Sequence, residues 1–302
     1  MKKICIVLLF ALLANFVSAE VVKTLHNLVA GSLRTVLTTS DKATVTSLIV
    51  RGTVNADDFF CMRNEMPLLT DVDLSGTTIA ALGSNGAGVI PAYALCRANS
   101  PNQNLKSFKC PRPTLSIGEF AFGYCTSLSS IALDSCTSSI GKGCFAGCTA
   151  LTSVFLPDRL DIIQEMAFGG CTALSGRLTI PNATRTINDR AFDHCTKLTE
   201  LVLGSSVDSI GTEAFNCCYA LRFIRFLGEG NVKLSAETFN EIAHGSIIYV
   251  KMGTLTNLVN RDSWHDYTRV MEYRTRISSV SAVNQSFTSI NLTANFDAVQ
   301  PR

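Results

Sequence analysis

Twelve cysteines, four histidines and one pair of adjacent aspartates are the residues of this 302-residue chain best equipped for chemistry. Metal binding, thiol chemistry and acid–base catalysis are the options they open, and their spacing decides among them. His26, His194, His244 and His265 stand apart, none in an H-E-x-x-H run, the spacing that sets two imidazoles on one helix face for zinc. The nearest cysteine pattern is Cys144-x-x-x-Cys148, with His194 beside Cys195, and no Cys-x-x-Cys occurs. Structural zinc takes four converging ligands, so linear spacing predicts no metal and no cofactor. A Gly-x-Ser-x-Gly elbow is missing. Gly141-Lys142-Gly143 lacks the Gly-Lys-Ser/Thr ending that cradles phosphate. Asp57 and Asp58 open a helical stretch, where carboxylates suit the helix dipole; their spacing does not make a catalytic pair. These residues predict a protein that is not an enzyme.

The elements that hold the cysteines are copies of one phrase. SIGEFAFGYCTSLSSIAL begins at Ser116, and its first apolar mark recurs at Ile117, Ile140, Ile163, Ile187 and Ile210, a period of 23 or 24 residues. Five positions on stands Phe122, Phe145, Phe168, Phe192 or Phe215, each preceded by Ala or Cys; three further comes Cys125, Cys148, Cys171, Cys195 or Cys218. Leu128, Leu151, Leu174, Leu198 and Leu221 follow, opening a strand phrase L-x-x-I-x-L such as Leu198, Leu201, Leu203. The third copy carries one extra residue, Gly176. Looser phrases extend the series at Val45-Leu48-Val50, Leu69-Val72-Leu74, Leu105-Phe108-Cys110 and Ile248-Val250, for nine short strands in all.

A single copy has too few apolar side chains to offset the entropy of ordering its backbone. Copies must therefore stack, with strands paired in parallel and the Phe, Cys and Leu marks running as ladders through the interior. The expected fold is an α/β repeat: a leucine-rich-repeat solenoid with a parallel sheet on one face and short helical or 3₁₀ crossovers on the other. Both ends need caps. Leu28 to Leu37 and Asp57 to Met66 read as two amphipathic helices at the front. Leu255 to Val259 reads as a turn of helix, and Trp264 to Tyr273 as a covering strand at the back, with Trp264 as its plug. The divisions this gives are a leader at 1–19, cap and entry repeats at 20–89, the solenoid at 90–250, and a closing cap and tail at 251–302.

The copies IGKGCFAGCTALTSVFLP and INDRAFDHCTKLTELVL resemble the BspA-like class of leucine-rich repeats, over about residues 40 to 270. VTSLIVRGTVNADDFFCMRNEMPLLTDVDLSGT is similar to the helical entry of such repeats, and IIYVKMGTLTNLVNRDSWHDY to their closing element. The resemblance implies an exported or surface protein of the kind found in mucosal bacteria and some protozoan parasites. Such proteins are associated with adhesion, binding of host matrix or plasma proteins, and cell–cell aggregation. The solenoid frame by itself specifies no ligand.

Alternation along a strand points the Ile and Leu of each phrase inward and the residues between them outward. The later copies thereby place Phe155, Thr179, Val202, Arg225 and Tyr249 in one outward stripe, beside Arg177, Glu200 and Phe223 in the next. Aromatic and Arg side chains on an exposed surface are the usual composition of a protein-binding hot spot, so these eight are the candidate ligand-binding residues, for an extracellular protein such as a host matrix or cell-surface protein. A glycan-binding module using Phe155, Phe223 and Tyr249 as a platform is an alternative. A structural spacer of the cell envelope is another.

Cysteines in repeat slots, together with Cys110 and Cys144, occupy apolar positions, where a free thiol behaves as a small hydrophobe. Cys61, Cys96, Cys136 and Cys217 lie off the ladder and are the better disulfide candidates. The first residues, MKKICIVLLFALLANFVSAE, have a basic start, an apolar run and small residues before Glu20. This is the layout of a secretory signal peptide cleaved after Ala19, and the apolar run is too short to span a membrane. Nothing later is apolar for long enough to span. Charged residues make up only 17% of the chain, well below the roughly 25% of an average domain, which argues against disorder. Without Lys2 and Lys3 the 26 basic residues fall to 24, matching the 24 acidic ones, so the cationic excess of a nucleic-acid binder is missing. Asn182, Asn284 and Asn291 are sequons, glycan acceptors in a eukaryotic secretory pathway.

Overall fold

The computed structural model describes residues 19–96, 101–229, 232–235, 237–251 and 269–273. The leader as far as residue 18, Trp264, the stretch Leu255 to Val259, residues 277–302 and the sequons at Asn284 and Asn291 lie outside them. Ten strands carry the outward stripes: β1 (Val22–Leu28), β2 (Ser47–Val54), β3 (Asp71–Ile79), β4 (Ser107–Lys109), β5 (Ser130–Ala132), β6 (Ser175–Thr179), β7 (Lys197–Leu203), β8 (Phe223–Phe226), β9 (Ile247–Lys251) and β10 (Arg269–Tyr273). Each pairs in parallel with the next in chain order, except across one gap. The gap divides them into two five-stranded sheets, β1 to β5 and β6 to β10.

The gap falls at residues 151–157, which form no strand. Leu151 is buried there, and Val154 and Leu156 still pack on the core, so the coil is present but its backbone is not laddered. The next coil carries the extra residue of the third copy. Gly176 has φ 74°, and the pairing of β6 with β7 shifts register between Gly176 and Arg177. A bulge of this kind disrupts the local ladder.

The opposite face carries a second sheet that the repeat phrase did not announce. Seven two-residue strands, from Val89–Ile90 to Lys233–Leu234 and centred on the Ile marks, pair in parallel without interruption. The crossovers are runs of turns closed by bonds of the 3₁₀ kind, from alternate amides to the carbonyl three residues back. Ala121, Gly123 and Cys125 donate their N–H groups three residues back, to Gly118, Phe120 and Phe122; Phe120, Phe122 and Tyr124 donate to Lys142, Cys144 and Ala146 of the next coil. Backbone donors are thus satisfied alternately within a coil and between coils, as buried amides require. Two positions per coil are left-handed: Phe120, Met166, Arg190 and Glu213 at one, Tyr124, His194, Cys217 and Glu241 at the other. A Cβ on Gly118 would stand 2.4 Å from the Ala92 amide nitrogen, so glycine there answers to the neighbouring coil's backbone.

The rings of Phe122, Phe145, Phe168, Phe192, Phe215 and Phe239 stack at centroid separations between 5.1 and 5.5 Å, and Phe108 meets Phe122 edge-on at 4.8 Å. All are buried. Beside them runs a thiol ladder. Cys148, Cys171, Cys195 and Cys218 each donate to the carbonyl of the preceding coil's Phe122, Phe145, Phe168 or Phe192, at 3.2 to 3.4 Å. The slot therefore selects a small apolar side chain that can also donate. Cys61, Cys136 and Cys217, three of the four disulfide candidates, are free thiols.

The front cap differs from the expectation over Leu28 to Leu37. Helix α1 spans only Leu33–Val36, α2 follows at Thr39–Thr44, and the preceding residues form β1. Helix α3, Ala56–Glu65, matches its expected place. At the back, β10 pairs with β9 in parallel and in step. It lengthens the sheet by another rung where a covering strand was expected.

Candidate binding surface

Register, fixed by the parallel ladders, decides which predicted residues meet. Arg177, Glu200 and Phe223 are successive partners across β6, β7 and β8. Thr179, Val202, Arg225, Tyr249 and Met271 are successive partners in the adjacent row, from β6 to β10. Arg177 Nε donates to Glu200 Oε2 at 2.8 Å. The Phe223 and Tyr249 rings stack 6.5 Å apart, and the Arg225 guanidinium lies over Tyr249, 5.7 Å from its centroid. A cation on such a ring contributes about 0.5–1 kcal/mol, a modest bias toward this pairing of Arg225 with Tyr249.

Two of the eight residues stand differently from the expectation. Val202 is only 9% exposed; it lies between Thr179 and Arg225 in its row and forms floor, offering little contact area. Phe155 is 90% exposed but belongs to the unladdered segment, so it stands at the edge of the patch and outside the rows. Met271, 44% exposed, continues the row beyond Tyr249. Sequence reasoning passed over it because no L-x-x-I-x-L phrase marks β10.

The front half of the same face has a different character. Asp73 pairs with Lys109 at 3.1 Å and with Arg51 at 3.4 Å, and Ser107 bonds Asp71. Burial pushes the Asp73 carboxyl up, but the hydroxyl and amide of Ser75 and the Lys109 ammonium outweigh it and hold the group down at about 2. These charges are already satisfied by one another, and they present no exposed ring. Aromatic, amphipathic surface is concentrated on β8 and β9, flanked by Phe155 and Met271. Among the described residues, the group of side chains suited to a metal lies elsewhere, on the crossover edge at Asp193, His194 and Cys217. No described helix is long and apolar enough to cross a membrane.

Comparison with known proteins bears on the frame of this surface. The family described as BspA type leucine rich repeat region matches in six copies, over residues 99–222 and 176–257. Among solved structures, the T. pallidum leucine-rich repeat protein TpLRR is 26% identical, with a TM-score of 0.39, over 51% of this chain and 78% of its own. A leucine-rich repeat protein from Bacteroides ovatus is 18% identical, with a TM-score of 0.41, over 76% of this chain and 65% of its own. The pneumococcal vaccine antigen PcpA is 17% identical, with a TM-score of 0.47, over 76% of this chain and 57% of its own. No curated protein matches the sequence.

Proposed function

This chain belongs to the BspA-type leucine-rich-repeat family, and from that premise we propose that it is an exported adhesion protein whose β6–β10 face binds an extracellular protein without chemistry. Partners of the expected kind are host matrix proteins or the surface proteins of neighbouring cells. The observation that carries this reading is the Phe223–Tyr249–Arg225 cluster on one ladder, with the Arg177–Glu200 pair beside it. Rings and guanidinium groups of this kind supply much contact area at little entropic cost, which is why they dominate binding hot spots. Phe155 extends the reach of the patch on one side. The leader, with its basic start and small residues at the cleavage point, supports export.

The test uses the chain from Glu20 onward against immobilised extracellular-matrix proteins. Phe223→Ala combined with Arg225→Glu is expected to weaken capture by tenfold or more, since each hot-spot truncation costs about 2 kcal/mol. Lys109→Glu, on the front half, is expected to leave it unchanged. Equal binding by the parent and the double variant would remove this surface from consideration. The fully exposed Phe155 ring also suits a sugar platform. Capture on a glycan array, lost in Phe155→Ala and accompanied by no protein binding, would favour that reading instead.

A further inference from the structure

Cys217 is one of the four cysteines that lie off the ladder. Its neighbour Cys218 turns into the core, so Cys217 takes the left-handed crossover position, with φ 54°. His194, one coil earlier, has φ 58° in the same slot, and Glu241, one coil later, has φ 51°. Equivalent positions of stacked coils lie about 4.8 Å apart. The column therefore sets an imidazole, a thiol and a carboxylate side by side, although they are distant in sequence.

Asp193 completes the group. Its carboxylate oxygen, a His194 ring nitrogen and Cys217 Sγ all lie within 4.8 Å of one another. Cys217 Sγ is 3.6 Å from Glu241 Oε2, and the Tyr219 hydroxyl donates to that same oxygen at 3.1 Å. Asn216 Nδ2 donates to Asp193 Oδ1 at 2.9 Å, and His194 Nδ1 lies 2.8 Å from it. The other polar atom of that amide, Asn216 Oδ1, is buried without a donor. Cys217 is 8% exposed, while His194 and Glu241 on either side of it are exposed, so the thiol lies beneath solvent-facing ligands.

Two carboxylates, an imidazole and a thiol form a borderline donor set, which suits zinc-like ions; magnesium and calcium take oxygen alone. The geometry points to a binding site for a divalent transition ion of the zinc class, held by Asp193, His194 and Cys217, with Glu241 in the fourth position. On binding, the Cys217 S–H bond breaks and its proton passes to solvent, while His194 coordinates as a neutral imidazole. The thiolate and the Asp193 and Glu241 carboxylates then set three negative charges against the ion's two, leaving the occupied site with a net charge of −1. Asn216 and Tyr219 orient the carboxylates from behind, the usual office of outer partners at metal sites. The ion ties three consecutive coils together on the crossover edge, independently of the face proposed to bind protein.

Cobalt(II) titration of the reduced chain from Glu20 onward tests the site, because a thiolate ligand gives cobalt a charge-transfer band. One equivalent is expected to bind with that band, and zinc is expected to displace it. Cys217→Ser should abolish the band. His194→Ala, at an exposed position that the fold does not need, should weaken binding by about tenfold or more. Cys136→Ser should change nothing. Zinc should also raise the thermal midpoint of the parent, and raise that of His194→Ala by less at the same zinc concentration. Absence of the cobalt–thiolate band in the parent, or its survival in Cys217→Ser, would overturn the assignment.

Discussion

Asp58 is fully buried and accepts three backbone N–H groups: Gly31 at 2.7 Å, Leu33 at 2.9 Å and Asn55 at 2.9 Å. The carboxylate thus joins the start of α1 to the capping box of α3, where Asn55 Oδ1 in turn accepts from the Asp57 amide. Asp58→Asn keeps the size but turns an NH₂ toward N–H groups that need an acceptor. It is expected to cost about 3 kcal/mol, the range for a buried charge-assisted bond replaced by an unmet donor, read as a fall in the denaturation midpoint. A cost below about 1 kcal/mol would mean that the front cap does not depend on this contact. The sequence placed Asp58 correctly at a helix start. It could not show Gly31 and Leu33 as partners, because that meeting is made by the turn of the chain around β1 and β2. Val202 illustrates the same boundary: alternation gave its outward direction, but its burial depends on the neighbours that the strand register supplies.

At the scale of elements, the thiol ladder carries the sharpest consequence. Burial pushes Cys171 and Cys218 up to about 12, from an ordinary value of 9.0. Burial, with the Asp134 carboxylate adding to it, does the same to Cys110; burial also holds Cys148 and Cys195 well above the usual thiol range. Below pH 9 both folded and unfolded chains keep these protons, so the thiols contribute their full stabilisation. Above it the unfolded chain releases protons that the folded chain retains, and stability falls as pH rises toward the folded values. The expected slope is about 1.4 kcal/mol per pH unit for each such thiol, measured as urea midpoints at successive alkaline pH values in reductant. A flat profile above pH 9 would show that these thiols are accessible in the native state. The repeat slot of these cysteines was legible in the sequence because five copies agree. Their role as donors was not, since the accepting carbonyls belong to the preceding coil. The gap at residues 151–157 was likewise hidden, because the phrase Leu151-Val154-Leu156 is regular.

Across the whole molecule, one argument governs the rest. No coil buries enough apolar surface by itself, so each depends on both neighbours. The Phe rings express this most clearly, as a single file from Phe108 to Phe239 that runs past the gap between the two five-stranded sheets. Five of those rings were legible from their spacing. Phe239 was missed because its coil has Ile242 in the cysteine slot and Gly245 in the leucine slot, so the phrase no longer identifies itself although the packing persists. The candidate face was legible as residue types in two stripes; its division into a self-paired front half and an aromatic rear half came from the structure. The most direct measurement is native-state amide hydrogen exchange on Phe168→Ala, at the middle of the file. Removing that ring is expected to cost about 3–5 kcal/mol and to lower protection in the coils on both sides, at Phe145 and Phe192 alike. Loss of protection confined to the coil of residue 168, with its neighbours unchanged, would contradict the interdependence of the stack.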